Sequence, residues 1–380
     1  MQTKMLQYMM KSLYNRKAMK VISDKIKKVY QQLREKGYEQ INIMHVCGTH
    51  EHTIVRYGIR SLLPRGVRLI AGPGCPVCIV PAREIDEAVK LALDGITVFS
   101  YGDMYRVPGT KMSLSQARSE GGNVQIVYGF RDVIMKARQL NEDAVFFAVG
   151  FETTAPTTAL YIVKNKIPKN LKLLVSYRLV VPAVRYILSG DHNLHGIIAP
   201  GHVTTIIGAV KWKFVADEFK LPVVVAGFEA VDVLLAVLEI LRQLLEGKSQ
   251  LCNEYTRAVK WEGNVVAQRC MFTAYEEANR DWRGIGTIPR SGLLLRKEFK
   301  NLDARYVYNI HIEKSIDIKP GCKCADIILG KAVPTDCPMF LKVCTPEHPY
   351  GPCMVSSEGT CSIWAKYGGH IIFEENKDDE

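Results

Sequence analysis

The chain has 380 residues, 47% hydrophobic and 23% charged, which is the balance of a soluble globular protein with room for two or three domains. Its formal net charge of +11 is dispersed along helical faces such as Asp24-Lys-Ile-Lys-Lys28, with no aromatic-interleaved basic patch, so solvated helix faces are expected rather than nucleic-acid binding. Met1 to Met19 is interrupted by Lys4, Lys11, Arg16 and Lys17 and does not read as a secretory signal. The longest apolar stretch, Leu221 to Leu245, contains Glu229, Asp232 and Glu239, so no membrane span is expected there. A cytoplasmic location is expected, where eleven cysteines read as metal-binding or redox-active rather than as a disulfide framework.

Residues 2–37 read as a helix ending near Gly37. Short β-branched runs follow at Ile41–Val46, Val67–Ala71, Thr97–Tyr101, Val124–Tyr128, Ala144–Val149, Leu171–Ser176, Gly196–Ala199 and Val223–Ala226. Helical segments such as Ala82–Leu93 and Phe130–Leu140 alternate with them. The alternation predicts an α/β fold with parallel sheets covered on both faces. Two similar α/β domains are expected, 1–142 and 143–250, with the break near Asn141-Glu-Asp143. Long helices are expected at Val231–Leu245 and Asn253–Tyr275, and 251–319 reads as a helical connecting segment that includes a Gly- and Arg-rich loop, Asp281-Trp-Arg-Gly-Ile-Gly286. Beyond Lys319 cysteine, proline and glycine dominate and periodicity disappears. The segment 320–373 therefore reads as a separate unit that needs a metal to hold its shape, followed by an acidic tail, 374–380.

Ligands of parallel α/β sheets bind beyond the carboxyl ends of the strands. Cys47 stands at such an end, in Met44-His-Val-Cys-Gly-Thr-His-Glu-His-Thr53, and reads either as structural or as an exposed, ligating or nucleophilic thiol. His50 or His52 is a candidate general base or metal ligand, or else a surface or core histidine. Cys75 and Cys78 form a C-x-x-C in Gly72-Pro-Gly-Cys-Pro-Val-Cys78, a redox pair or a metal half-site near a helix start. In Gly150-Phe-Glu-Thr-Thr-Ala-Pro156, Glu152 either favours the helix dipole beside a capping Thr153 or Thr154, or moves protons in a pocket. His202, Glu229 with Asp232, and Asp103 mark three further polar turns, and together the four suggest a lined crevice between the domains. No P-loop and no G-x-G-x-x-G opening a helix after the first strand appears, so nucleotide use has no motif behind it.

Six cysteines lie near the carboxyl end: Cys322, Cys324, Cys337, Cys344, Cys353 and Cys361. Four soft thiolates suit an iron–sulfur cluster or tetrahedral zinc. The spacing Cys322-x14-Cys337-x6-Cys344-x16-Cys361 wraps a long loop around one centre rather than forming the paired C-x2-C of a zinc ribbon.

These residues resemble the HypD family of [NiFe]-hydrogenase maturation factors over nearly the whole chain. The match lies in Val46-Cys-Gly-Thr-His-Glu-His52, Gly72-Pro-Gly-Cys-Pro-Val-Cys78, Gly102-Asp-Met104 with Val107-Pro-Gly109, Gly150-Phe-Glu-Thr-Thr154, Ala199-Pro-Gly-His-Val203, Trp282-Arg-Gly-Ile-Gly286 and Cys353-Met-Val-Ser-Ser-Glu-Gly-Thr-Cys361. The resemblance implies two similar α/β domains and a C-terminal domain with a [4Fe-4S] cluster on Cys322, Cys337, Cys344 and Cys361, with Cys324 and Cys353 as non-ligands. It implies a scaffold on which an Fe(CN)2CO group is assembled, with a small HypC-like chaperone and with cyanide received from HypE, itself supplied by HypF. Cys47 would then hold the iron under construction, and Cys75 with Cys78 would exchange electrons with the cluster. His50, Glu152 and His202 would support the site or donate protons. The chain has Tyr177-Arg178 where the family commonly has His-Lys, Val181 where a second Pro precedes Pro182, and Ala230 where Pro follows Glu229. Two alternatives stand beside this reading: a stand-alone [4Fe-4S]-linked thiol–disulfide oxidoreductase, which needs Cys75 and Cys78 but not Cys47, and a zinc-stabilised binding module.

Overall fold

The structure, a computed structural model, describes residues 16–368. The first residues of the helix expected at 2–37, and the acidic tail 374–380, lie outside the described residues. Helix α1 (Arg16–Glu35) presents Met19, Ile22, Ile26, Tyr30 and Leu33 at three- and four-residue intervals, one apolar stripe buried against the later helix Ala230–Leu245.

All eight expected strands form: β1 (Ile41–His45), β2 (Val67–Ala71), β3 (Thr97–Tyr101), β4 (Val124–Val127), β5 (Ala144–Gly150), β6 (Leu171–Tyr177), β7 (Gly196–Pro200) and β8 (Val223–Ala226). A ninth, β9 (Leu251–Asn253), adds to the edge beyond β8. They make two parallel sheets, ordered β2-β1-β7-β8-β9 and β4-β3-β5-β6. The central strands β1, β5, β7 and β8 are buried along their whole length, as strands covered on both faces must be, and this is why they read as continuous apolar runs. The fold is α/β with parallel sheets, as the alternation predicts.

The expected break at Asn141–Asp143 is not where the sheets divide. β3 and β5, on either side of it, are hydrogen-bonded neighbours through Thr97↔Ala144 and Phe99↔Phe146. The second sheet is one stretch of chain, whereas the first joins β1 and β2 to strands made after the second sheet is complete. Strand alternation is identical in both sheets, so local pattern carries no information about which strands pair.

Residues 251–319 also differ from the expected helical segment. Asn264 caps a shorter helix, Val265–Ala274, by accepting the Ala267 N–H at 3.0 Å. An antiparallel hairpin follows, β10 (Tyr275–Trp282) and β11 (Gly286–Leu295), and the loop at 281–286 is its turn. The hairpin docks beside β6 through the Arg178–Gly292 bridge. The cysteine-rich segment is not separate from the core either, because Cys324, Ile327, Met354, Ile363 and Trp364 belong to the same buried cluster as Val98, Phe147 and Ile197. Among the described residues no helix is long and apolar enough to cross a membrane.

Candidate functional site

The carboxyl end of β1 runs through Cys47 into helix α2 (Gly48–Arg56), and Cys47 is its N-cap. The loop after β2 is laid against this junction: Gly72 N–H donates to His45 O at 2.9 Å, and Gly48 N–H donates to Gly74 O at 3.3 Å. Gly74 passes so close that a β-carbon there would stand 2.6 Å from the Cys47 carbonyl carbon, which explains glycine at that position. The loop delivers Cys75 and Cys78 as a disulfide with Cα atoms 5.4 Å apart, and Cys78 N–H points at Cys75 Sγ at 3.1 Å.

Cys47, Cys75, Cys78 and the distant Cys353 line one cavity of about 10 Å³, together with His45 and Glu358. That is room for about one water molecule. Cys47 is buried, not exposed as one sequence reading allowed. Burial, and then Glu358, push its thiol pKa up to about 11, against the backbone N–H groups of Thr49 and His50. At pH 7 Cys47 is therefore a neutral thiol. Glu358 is itself raised to about 7 by burial and by Asp103, which accepts the Ser357 hydroxyl at 3.0 Å.

Glu51 anchors the floor. Its Oε2 lies 2.8 Å from both His45 Nε2 and Arg60 Nη2, and its Oε1 accepts the indole N–H of Trp364. Burial opposes its charge, but Arg60 and His45 outweigh burial and hold the carboxyl well below the usual range. Trp364 thereby ties the C-terminal helix Thr360–Tyr367 to the first turn after Cys47.

The other expected site residues lie elsewhere. His50 is fully buried, with Nε2 2.8 Å from Gly227 O, and burial followed by His45 lowers its pKa to about 3. His202 stacks on Phe228 at 3.8 Å, and Phe228 also meets the His50 ring at 4.8 Å, so the two histidines flank one phenylalanine. His52 meets the Tyr367 hydroxyl at 3.0 Å. Glu152 lines a different cleft, of about 560 Å³, beside helix Val180–Ser189 and the hairpin. Its Oε1 accepts the Val180 N–H at 3.0 Å, its Oε2 is buried without a partner, and burial raises its pKa to about 7. Tyr177 is fully buried with its hydroxyl 3.0 Å from Thr158 Oγ1, and Arg178 pairs with Glu84 Oε1 at 2.9 Å.

Sequence reasoning missed His45, Glu51, Glu358 and Cys353 as neighbours of Cys47. Glu51 carries a signal, since it stands in the first turn of the helix that Cys47 caps, although spacing alone does not separate it from His50, which turns to Gly227. Glu358 and Cys353 carry none, because they arrive from the far end of the chain.

The six C-terminal cysteines meet beside this cavity. Cys322 Sγ approaches Cys324 Sγ at 3.3 Å, and Gly351 lies so close that a β-carbon there would stand 2.7 and 2.8 Å from those two sulfurs. Cys344 Sγ accepts the Tyr350 N–H at 3.3 Å. Burial, then Cys324, Cys344, Cys337 and Cys322, raise the Cys361 thiol far above its ordinary value. Among the described residues, no three His, Cys, Asp or Glu side chains are grouped around the position of a single metal ion. Clustered, mostly buried cysteines, whose thiolates would repel one another, fit a soft cationic centre that would displace their protons and balance the negative charge.

The molecule is thus a parallel α/β protein in which a strand-end thiol, a neighbouring disulfide and a C-terminal cysteine segment converge. The family model HypD, described as the hydrogenase formation hypA family, matches residues 17–368, and the chain belongs to that family. It is 43% identical over 359 residues to a hydrogenase expression/formation protein of Methanocaldococcus jannaschii, covering 94% of this chain and 99% of that one. It is 41% identical to the hydrogenase maturation factor HypD2 of Bradyrhizobium diazoefficiens, over 86% of this chain and 89% of the relative. Against the hydrogenase maturation factor HypD of Cupriavidus necator the identity is 40%, over 87% and 90%.

Proposed function

We propose that this chain acts in hydrogenase maturation as a cytoplasmic scaffold on which the Fe(CN)2CO group is assembled, with redox activity of its own. The observation that supports this best is the convergence of Cys47 with the Cys75–Cys78 disulfide in one buried cavity. In this reading Cys47 gives up its proton and binds the incoming iron as a thiolate, a soft ligand suited to low-spin iron bearing CO and cyanide. Glu358, with a pKa near neutrality, is placed to take that proton. Glu51 holds His45 and the first turn of α2 in place. Reduction of the disulfide takes up two electrons and two protons and yields the Cys75 and Cys78 thiols.

Cys322, Cys337, Cys344 and Cys361 would hold a [4Fe-4S] cluster. When bound, such a cluster supplies single electrons at low potential. The partners proposed are a small HypC-like chaperone and HypE, with HypF upstream of it.

The test is an infrared spectrum of the protein purified without oxygen together with its HypC-like partner. Bands of metal-bound CO and cyanide are expected, and Cys47→Ala should abolish them. If hydrogenase maturation survives Cys47→Ala but not Cys75→Ala, the chain is a thiol–disulfide oxidoreductase instead. Colourless protein with zinc and no iron would make it a zinc-stabilised binding module.

A further inference from the structure

Several arginines of this protein are buried or partly buried, and most of them reach a carboxylate. Arg178 and Arg280 lie 2.9 and 2.6 Å from Glu84 Oε1, and Arg305 lies 2.7 Å from Glu87 Oε2. Arg283, in the hairpin turn, differs. It is 2% exposed, its Nε donates to Asp317 O at 2.7 Å, and its Nη2 donates to Pro108 O at 2.8 Å. Its Nη1 is buried without a partner. Among the described residues, its side-chain hydrogen bonds all go to backbone carbonyls.

The position of this cation is fixed from two sides. Its backbone N–H donates to Ile79 O at 3.0 Å, one residue beyond Cys78. The next residue, Gly284, lies where a β-carbon would stand 3.1 Å from the Ala325 β-carbon, adjoining Cys324. Arg283 therefore stands between the disulfide turn and the C-terminal cysteines. Burial opposes its charge, and the groups that favour it are Asp317, then Cys324, Cys353 and Cys322. An unpaired buried guanidinium is costly unless an anionic neighbour compensates it. The Asp317 carboxylate is spent on other donors: Oδ1 accepts the Ala82 N–H at 2.8 Å, and Oδ2 accepts the Gly284 N–H at 3.1 Å.

We propose that Arg283 sets the reduction potential of a cluster held by the C-terminal cysteines, with Asp317 acting against it. The inference rests on the cluster proposed above. Reduction adds one negative charge to a thiolate-bound centre. A fixed cation nearby in a medium of low dielectric stabilises the reduced form more than the oxidised one and raises the potential. A fixed carboxylate lowers it.

The experiment is a redox titration, followed by electron paramagnetic resonance, of the full chain purified without oxygen, with iron and sulfide measured on each sample. Arg283→Gln should move the midpoint to more negative potential by at least one tenfold change in the ratio of oxidised to reduced cluster, which for one electron is about 59 mV. Arg283→Lys should retain most of the wild-type value. Asp317→Asn should move the midpoint the opposite way. Wild-type protein without iron and sulfide overturns the cluster reading, and this inference falls with it. Equal iron and sulfide with an unmoved midpoint in Arg283→Gln overturns the role of Arg283 alone. If Arg283→Gln does not fold, Asp317→Asn decides, and an unmoved or more negative midpoint in that variant overturns the proposal.

Discussion

Glu358 lies over Gly48 so closely that a β-carbon at position 48 would stand 2.6 Å from the Glu358 β-carbon. Two segments far apart in sequence thus close over Cys47, and only glycine at 48 allows the contact.

That contact predicts the effect of the smallest possible substitution. Gly48→Ala should displace the segment around Glu358 and cost roughly 1–3 kcal/mol by overpacking. Gly74→Ala, which meets the Cys47 backbone, should cost a similar amount. Denaturant midpoints check the stability, and the rate of Cys47 alkylation checks the opening. Alanine at 48 with wild-type stability and unchanged alkylation would show that the seal is loose.

The cysteine assignment separates by mutation. Cys361→Ser should lose iron and sulfide from anaerobically purified protein, whereas Cys324→Ser should keep them. Metal and sulfide analysis of the two variants is sufficient. Equal loss in both would make Cys324 a ligand.

Glu152 gives a pH signature in its own cleft, apart from the cavity that Cys47 lines. Burial raises its pKa from the carboxylate range to about 7, so the folded state holds a proton that the unfolded state releases. The stabilisation is fully present below the usual carboxylate pKa and is lost as pH rises through about 7. Glu152→Gln can still accept the Val180 N–H and carries no charge. It should be more stable than the wild type at pH 8.5 by roughly 1–3 kcal/mol, and nearly equal to it at pH 4.5. Urea midpoints at the two pH values check this, and a pH-independent difference would show that the carboxyl is already ionised when folded.

The strands were legible because they are short runs, mostly β-branched and flanked by Gly or Pro, too short for helices. Their partners were not, since β1 pairs with β7 across the whole second sheet. The hairpin was missed because β10 carries consecutive polar pairs, Glu276-Glu277 and Arg280-Asp281, which point to opposite faces and leave no apolar alternation to read. At the site, the rule that ligands gather at strand ends correctly brought Cys47 near Cys75 and Cys78. It could not say which way each side chain points, and so grouped His50 and His202 with the thiol although they flank Phe228.

The interleaved sheets also set an order of events on the ribosome. β1 and β2 are made before the second sheet but remain an incomplete pair until residue 200 of β7 has been made, roughly 6–26 s later at about 5–20 residues per second. The second sheet, one unbroken stretch, is free to fold in the meantime. Cys47 is therefore translated well before it can be enclosed, because Glu358 and Trp364 follow every strand of both sheets in the chain. Nascent chains halted near residue 180 should leave Cys47 open to alkylation, and released chains should protect it; protection already at 180 would place the closure earlier. Until Glu358 and Trp364 have been made, the nascent chain carries an unguarded thiol, and iron that reached it then would meet a half-built pocket.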